Sequence, residues 1–149
     1  LILGLFGVWA YAENIVVKLP STVDGLRACA TLAAEGIRLN MTLCFQPLQA
    51  LMVAKAGAFI VSPFIGRIDD IAEDGTELIR QIRTIYDNYG FETQVLAASI
   101  RHPKHMVECA MLGADIATVP FKVINQFMDH PLTDRGLEKF VADYKKVFG

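Results

Sequence analysis

The regular alternation of short β-branched runs with helical segments constrains the fold of this 149-residue chain more than any other feature. After residue 14, each apolar run ends at a Pro, a Gly or a polar residue and is followed by apolar residues at helical spacing. Strands that alternate with helices pair in parallel through right-handed crossovers. The sequence therefore predicts an α/β fold with five strands, at residues 14–19, 38–45, 59–62, 93–98 and 115–119.

Helices are predicted between and after these strands, with capping signals at their ends. Ser21 or Thr22 can cap the first helix, and Asp24 suits its positive end. The predicted helices span residues 22–36, 47–56, 75–89, 103–113, 123–128 and 133–147. Five β-α units fit either a small open sheet or the C-terminal five-eighths of a (β/α)8 barrel. Because no Pro/Gly/Ser-rich linker interrupts the pattern, we expect residues 1–149 to form a single domain.

Composition argues against several classes of protein. Fourteen Lys and Arg residues against sixteen Asp and Glu residues give a net charge of −2, so we expect no nucleic-acid partner. Cys29, Cys44 and Cys109 lack C-x-x-C spacing, which disfavours a disulfide framework or zinc ribbon and favours a reducing cytoplasm. No apolar run reaches the ~18 to 20 residues that span a bilayer, so we expect no membrane partner.

Motifs for common cofactors are missing as well. The sequence has neither G-x-G-x-x-G nor G-x-x-x-x-G-K-[ST], which weakens dinucleotide and P-loop interpretations. His102, His105 and His130 share no metal-ligand spacing with cysteines or carboxylates. We expect surface or helix-capping roles for all three histidines and no metal site.

The segment 1–11 does not fit the rest of the pattern. It is apolar throughout, contains two glycines and lacks the positive flank of a signal peptide. Three interpretations stay open: a buried piece of helix or strand, a sequence boundary, or a targeting segment.

Lys18 is the most informative single residue, because it lies between Val17 and Leu19 in an apolar strand. A buried lysine is costly without a partner. A desolvated, neutral amine could serve as a nucleophile that forms a Schiff base with a carbonyl. The alternative is that its ammonium group reaches the rim from a strand end. Asn40 and Thr42 share one face of the next strand. They could hold a substrate hydroxyl or a catalytic water there, or they could only make an ordinary hydrogen bond in the barrel interior.

Arg67, Ser99 and Arg101 follow the third and fourth predicted strands. Two guanidinium groups and a hydroxyl suit a phosphate dianion, which binds several charge-assisted donors at once. The alternative is that Arg67 pairs with Asp69 or Asp70 and that Arg101 is solvated. In parallel α/β folds the carboxyl ends of the strands carry the functional residues, so we expect all these side chains at one rim.

Four segments together resemble successive signatures of the transaldolase family, closest to the short branch that includes the fructose-6-phosphate aldolases. They are residues 15–22, 40–43, 62–69 and 96–101, and the resemblance runs from about residue 12 to residue 149. It implies a (β/α)8 barrel of class I aldolase type without metal or other cofactor. It also implies cytoplasmic transfer of a dihydroxyacetone unit between sugar phosphates such as fructose 6-phosphate, erythrose 4-phosphate and sedoheptulose 7-phosphate, in the pentose phosphate pathway.

The resemblance assigns a role to each candidate residue. Lys18 would form the Schiff base, and Thr42 would help to position the catalytic water. The other matched positions would bind substrate: the phosphate at Arg67, Ser99 and Arg101, and the dihydroxyacetone unit at Asn40 and Ser62.

Phe64 bears on the choice of reaction. The related aldolases carry a tyrosine at this position, whereas transaldolases carry Phe and match Asn40 better. We therefore expect sugar-phosphate transfer rather than simple aldol cleavage, with fructose-6-phosphate aldolase as the alternative.

The resemblance covers the C-terminal five β-α units of the family's barrel. The family's first three strands, which carry an aspartate that handles protons, would precede Asn14. A non-catalytic sugar-phosphate-binding fragment is therefore a further alternative. We also expect a homo-oligomer, because residues 133–149 resemble the exchanged or docking C-terminal helix of the family.

Overall fold

The computed structural model describes residues 14–149 and has the predicted α/β architecture. Its strands form one parallel sheet in chain order, β1-β2-β3-β4-β5. Each strand therefore pairs with the next one along the chain, as in consecutive units of a (β/α)8 barrel. The strands are β1 Val17–Pro20, β2 Leu39–Cys44, β3 Ile60–Pro63, β4 Gln94–Ala97 and β5 Ile116–Ala117.

Helices connect successive strands and continue after β5. They are α1 Val23–Ala34, α2 Pro47–Lys55, α3 Ile65–Asp69, α4 Gly75–Tyr89, α5 Pro103–Met111, α6 Phe121–Ile124 and α7 Pro131–Phe148, with a 3-10 turn at Asn125–Phe127. The short helix α3 was not predicted, because five residues are too few to show a helical period. The predicted helix at 123–128 is instead the end of α6 followed by the 3-10 turn.

The cap predicted at Thr22 is confirmed, because its hydroxyl accepts the Gly25 N–H at 3.1 Å. Asp74, which was not predicted as a cap, accepts the Thr76 N–H at 2.9 Å at the start of α4. Gly90 ends α4 in the left-handed conformation, with φ of 63°, which glycine adopts without steric cost.

One face of the sheet packs against the helices and forms the main core. Leu39, Met41, Val61 and Val95 are odd-numbered strand residues that point to this face and are fully buried. Tyr86 of α4 is also fully buried, and its hydroxyl donates a hydrogen bond to the Ala50 carbonyl at 2.8 Å. Helix α4 is thereby fixed to α2 across the outer layer.

The cysteines belong to this core, as predicted. Cys29, Cys44 and Cys109 are all buried free thiols. Burial raises the pKa of Cys44 to about 12 and that of Cys29 and Cys109 to about 11. The thiols are therefore protonated and unreactive at neutral pH, and behave as small apolar side chains.

The other face of the sheet carries the even-numbered residues. A smaller apolar cluster of Ile60, Leu96 and Ala98 lies there, and Phe64 packs against it. Lys18 points to this same face, because its neighbours in β1 point into the main core.

Two predicted strand limits differ from the structure by more than one residue, although all five strands exist. The first strand begins at Val17 rather than residue 14, and β5 is only Ile116–Ala117 rather than 115–119. Both strands lie at the edges of the described sheet, where each has one pairing partner, so ladder hydrogen bonds end early.

Helix α7 has no buried residue. Its large apolar side chains are exposed: Leu132, Leu137, Phe140, Val141, Tyr144, Val147 and Phe148. No helix within residues 14–149 is long and apolar enough to cross a membrane. The atypical segment 1–11 lies outside the described residues, so its three interpretations stay open.

Candidate functional site

The predicted catalytic and sugar-binding residues share one face of three adjacent strands. Lys18 of β1 is in register with Asn40 of β2, and neighbouring strands lie about 4.8 Å apart. Thr42 and Ser62 point to this face as well, nearer the carboxyl ends of β2 and β3. The sheet therefore brings the four residues together, as the sequence predicted.

Lys18 itself departs from the expectation of a desolvated amine. Its side chain is exposed, whereas its neighbours Val17 and Leu19 are buried. The reason is that β1 is an edge strand of the described sheet, so described residues flank Lys18 on the β2 side only. Among residues 14–149, Lys18 is an accessible amine beside Asn40.

Asn40 is held in one orientation by Ser62. The fully buried Ser62 hydroxyl donates a hydrogen bond to the Asn40 Oδ1 at 2.6 Å. Because the amide oxygen is engaged, the amide NH2 of Asn40 remains as the donor on the face that carries Lys18. The arrangement can therefore present an amine and an amide donor together to a carbonyl or hydroxyl of a ligand.

Thr42 has an unsatisfied polar atom. Its Oγ1 is buried and has no hydrogen-bond partner among residues 14–149. A buried hydroxyl without a partner costs roughly 1–3 kcal/mol, so such groups commonly bind water or ligand. Next to it, Leu43 has a left-handed backbone (φ 58°), and the β2–β3 register shifts between Met41 and Cys44. Thr42 thus lies at a local distortion of the sheet.

The three predicted phosphate-binding residues surround a second part of the site. Arg67, Ser99 and Arg101 line a cavity of about 390 Å³ at the carboxyl ends of β3 to β5. Phe64, Ile100, Pro120 and Lys122 complete its lining. Three cationic side chains therefore converge on one cavity, a charge pattern that suits an anion with several oxygens.

The two arginines make different contacts. The Arg67 guanidinium lies 4.9 Å from the centre of the Phe64 ring, a cation–π distance. The Arg101 guanidinium pairs with Asp70 at 2.7 Å. The alternative that Arg67 pairs with Asp69 or Asp70 is not observed. In the described part of the chain, Asp70 pairs with Arg101 instead. Because Arg101 and Asp70 are both about half-exposed, this ion pair is weak, at about 0–1 kcal/mol.

Helix α3 approaches the Ser99–Arg101 turn very closely. A Cβ added to Gly66 would overlap the Ser99 carbonyl oxygen and lie 2.6 Å from Arg101 Nε. Ser99 has a φ of 65°, a left-handed conformation that non-glycine residues adopt only when their surroundings hold it. Gly66 is therefore required for α3 to pack against this turn.

The histidines divide into two groups. His102 and His130 cap α5 and α7, as predicted: their Nδ1 atoms accept the N–H groups of His105 and Leu132. His105 is different, since it is only 4% exposed and its Nε2 lies 2.7 Å from the Asp69 carboxylate. The surface or capping role expected for His105 is wrong, because its side chain is buried and contacts Asp69, a partner that the local sequence does not reveal.

Lys122 and Asp69 were missed as site residues. Lys122 follows β5 just as Arg101 follows β4, so the rule about carboxyl ends of strands could have indicated it. Asp69 has no such signal, because its role depends on contacts to α4 and α5. No group of three or more His, Cys, Asp or Glu residues that could hold a metal ion occurs between residues 14 and 149.

Comparison with known proteins identifies similar chains. The family model described as "Transaldolase/Fructose-6-phosphate aldolase" matches residues 6–149. Proteins named "Probable transaldolase" are 58% identical over 137 residues in Anaeromyxobacter sp. (strain K) and 61% identical over 136 residues in Roseiflexus sp. (strain RS-1). The matched regions cover 92% and 91% of this chain and 63% of each relative. The chain thus spans less than two thirds of the length of these relatives.

The contact at Gly66 gives a stability prediction. Gly66→Ala should lower the free energy of unfolding by about 1–3 kcal/mol, because the added methyl group forces α3 away from the Ser99 carbonyl. Gly136→Ala in α7 is the matched control: a Cβ there meets nothing within 4 Å, and alanine favours the helix by up to about 1 kcal/mol. Urea denaturation of both variants measures the difference. Equal stability of the two variants would contradict the proposed close packing.

Proposed function

The chain belongs to the transaldolase/fructose-6-phosphate aldolase family, and we propose that it carries the Schiff-base lysine and phosphate site of a transaldolase. The enzyme would transfer a dihydroxyacetone unit between sugar phosphates in the cytoplasmic pentose phosphate pathway. The observation that carries this proposal is the juxtaposition of Lys18, Asn40 and Ser62 on one sheet face. The arginine-lined cavity at the carboxyl ends of the strands supports it.

Lys18 starts the proposed reaction. Its neutral amine attacks the ketone carbon of fructose 6-phosphate, and the resulting carbinolamine loses water to give a protonated imine. The C3–C4 bond then breaks, its electron pair moves into the imine, and the C4 hydroxyl loses its proton as glyceraldehyde 3-phosphate leaves. We assign that proton transfer to none of residues 14–149.

The second half of the reaction reverses these steps with another sugar. The enamine carbon on Lys18 attacks the aldehyde of an acceptor such as erythrose 4-phosphate, and water then releases the product by hydrolysing the imine. Thr42, whose buried hydroxyl has no partner in the described chain, is suited to hold this water. Asn40 would hold a hydroxyl of the bound dihydroxyacetone unit through its free NH2.

The phosphate would bind in the cavity lined by Arg67, Ser99, Arg101 and Lys122. Guanidinium groups donate pairs of hydrogen bonds that match phosphate oxygens. Phe64 connects this cavity to the sheet face of Lys18, since its ring packs on the smaller apolar cluster of Ile60, Leu96 and Ala98 and also contacts the Arg67 guanidinium. A sugar phosphate would extend across Phe64 and Ser62, with its ketone at Lys18 and its phosphate at the arginines.

A non-catalytic sugar-phosphate-binding module is the second candidate. The exposure of Lys18 favours it, because residues 14–149 do not bury this amine in the apolar surroundings expected of a desolvated nucleophile. Under this alternative the arginine-lined cavity still binds phosphate. The two functions therefore differ in the chemistry at Lys18.

Borohydride trapping separates the two functions. With fructose 6-phosphate, reduction should leave a dihydroxyacetone adduct on the peptide that contains Lys18, measured by mass spectrometry. Lys18→Met should abolish the adduct, whereas Lys55→Met, which removes an exposed lysine at the end of α2, should leave it unchanged. A folded wild-type protein without any adduct would favour the binding module.

Acceptor dependence distinguishes transfer from cleavage. Phe64 lacks the hydroxyl that the related aldolases have at this position, so release of glyceraldehyde 3-phosphate should require erythrose 4-phosphate. We expect Phe64→Tyr to raise the acceptor-free rate by about tenfold or more, because a hydroxyl can transfer protons. A coupled assay for glyceraldehyde 3-phosphate measures both rates. Full-rate release without acceptor by the wild type would identify an aldolase instead.

We also propose that the chain forms a homo-oligomer through α7. The exposed apolar side chains of this helix exceed what scattered surface residues explain. Replacing Phe140 and Val147 by Lys should reduce the sedimentation coefficient, whereas replacing Thr133 and Asp134 by Lys should not. If the wild-type protein sediments as a monomer at micromolar concentration, this proposal is wrong.

A further inference from the structure

A buried imidazole links helix α3 to the Ser99–Arg101 turn through one contact on each of its nitrogens. His105 Nε2 contacts the Asp69 carboxylate at 2.7 Å. On the other side of the ring, Nδ1 accepts the backbone N–H of Arg101 at 3.3 Å. We propose that His105 is a positioning residue that orients this turn for phosphate binding. The inference rests on the proposed function, because it concerns the same phosphate site.

These two contacts define what the imidazole can do. Because Nδ1 accepts an N–H, the ring proton lies on Nε2, the nitrogen that contacts Asp69. Both nitrogens are thus engaged, and the side chain is only 5% exposed. His105 therefore has no free nitrogen with which to bind a ligand or transfer a proton. Its effect on the site passes through the groups that it holds.

Those groups are the arginine-bearing segments of the cavity. Asp69 ends α3, two residues after Arg67, and its second carboxylate oxygen accepts the Gly75 N–H at 2.9 Å. The adjacent Asp70 pairs with the Arg101 guanidinium at 2.7 Å. Two consecutive carboxylates therefore hold Arg101. Asp69 acts on its backbone N–H through His105, and Asp70 contacts its guanidinium directly.

The backbone conformation of the Ser99–Arg101 turn needs contacts of this kind to hold it. Ser99 has a left-handed φ of 65° although it is not a glycine, and its carbonyl abuts Gly66. Strained backbone persists where surrounding contacts over-determine it. Loss of the Nδ1 contact would let the turn relax, and Ser99 and Arg101 would then leave the orientation in which they face Arg67.

Three substitutions separate the two contacts of the ring. His105→Asn retains an acceptor near the Nδ1 position, His105→Gln retains a donor near the Nε2 position, and His105→Phe retains the ring shape alone. If acceptance from Arg101 positions the turn, Asn should behave nearly like the wild type, and Phe and Gln should impair phosphate binding. His130→Phe, at the exposed cap of α7, is the matched control.

The readout compares ligands with and without phosphate. In borohydride trapping at Lys18, His105→Phe should raise the half-saturating concentration of fructose 6-phosphate about tenfold, while that of dihydroxyacetone stays unchanged. His105→Asn and His130→Phe should match the wild type with both ketones. Should the Phe variant not fold, Asp69→Asn tests the same chain, because it keeps the oxygen for Gly75 and loses the acceptor for Nε2.

Calorimetric titration with inorganic phosphate makes the test independent of Lys18. His105→Phe should weaken the phosphate affinity about tenfold relative to the wild type, and His105→Asn should restore it. If phosphate binding weakens in this way but no lysine adduct forms, the proposed reaction fails and the positioning role stands. Unchanged phosphate affinity, equal losses with both ketones, or a wild type that binds no phosphate would each overturn the inference.

Discussion

Parallel pairing in register is the constraint on which the rest of the molecule depends. Each strand presents alternate residues to the helices and to the opposite face, so a shift of the strand pairing by one residue would exchange the two sets of residues. The large apolar side chains Met41 and Val61 fix the first set in the core. Because that register is fixed, Lys18 must lie beside Asn40, and Asn40 must lie near Ser62.

The second organising contact is the close approach of α3 to the turn after β4. No side chain separates Gly66 from the Ser99 carbonyl, and Asp69 connects α3 to both α4 and α5. The positions of Arg67 and Arg101 are consequently correlated, since one belongs to each of the two contacting segments. The face that carries Lys18 depends on sheet register, whereas the arginine-lined cavity depends on loop-to-helix packing.

Much of the fold could be predicted from the sequence, because strand runs and helical periods are local signals. All five strands and the helices α1, α2, α4, α5 and α7 follow from such signals, and so does the convergence of Arg67, Ser99 and Arg101. Whether Lys18 is buried or exposed could not be decided from the sequence, because it depends on which strands flank β1. The burial of His105 also escaped prediction, because its partner Asp69 lies on another helix.

The ion pair between Arg101 and Asp70 has a consequence for how an anion enters the cavity. Without ligand, the guanidinium already has a counter-ion from its own chain. An anion that bound at Arg101 would therefore compete with a carboxylate rather than meet a bare cation, so its binding would be an exchange of anions. The exposed Asp70 carboxylate would set only a small threshold, of about 0–1 kcal/mol, which a dianion with several oxygens would exceed more readily than a monoanion such as chloride. Selectivity among anions can thus arise from a residue that need not touch the ligand.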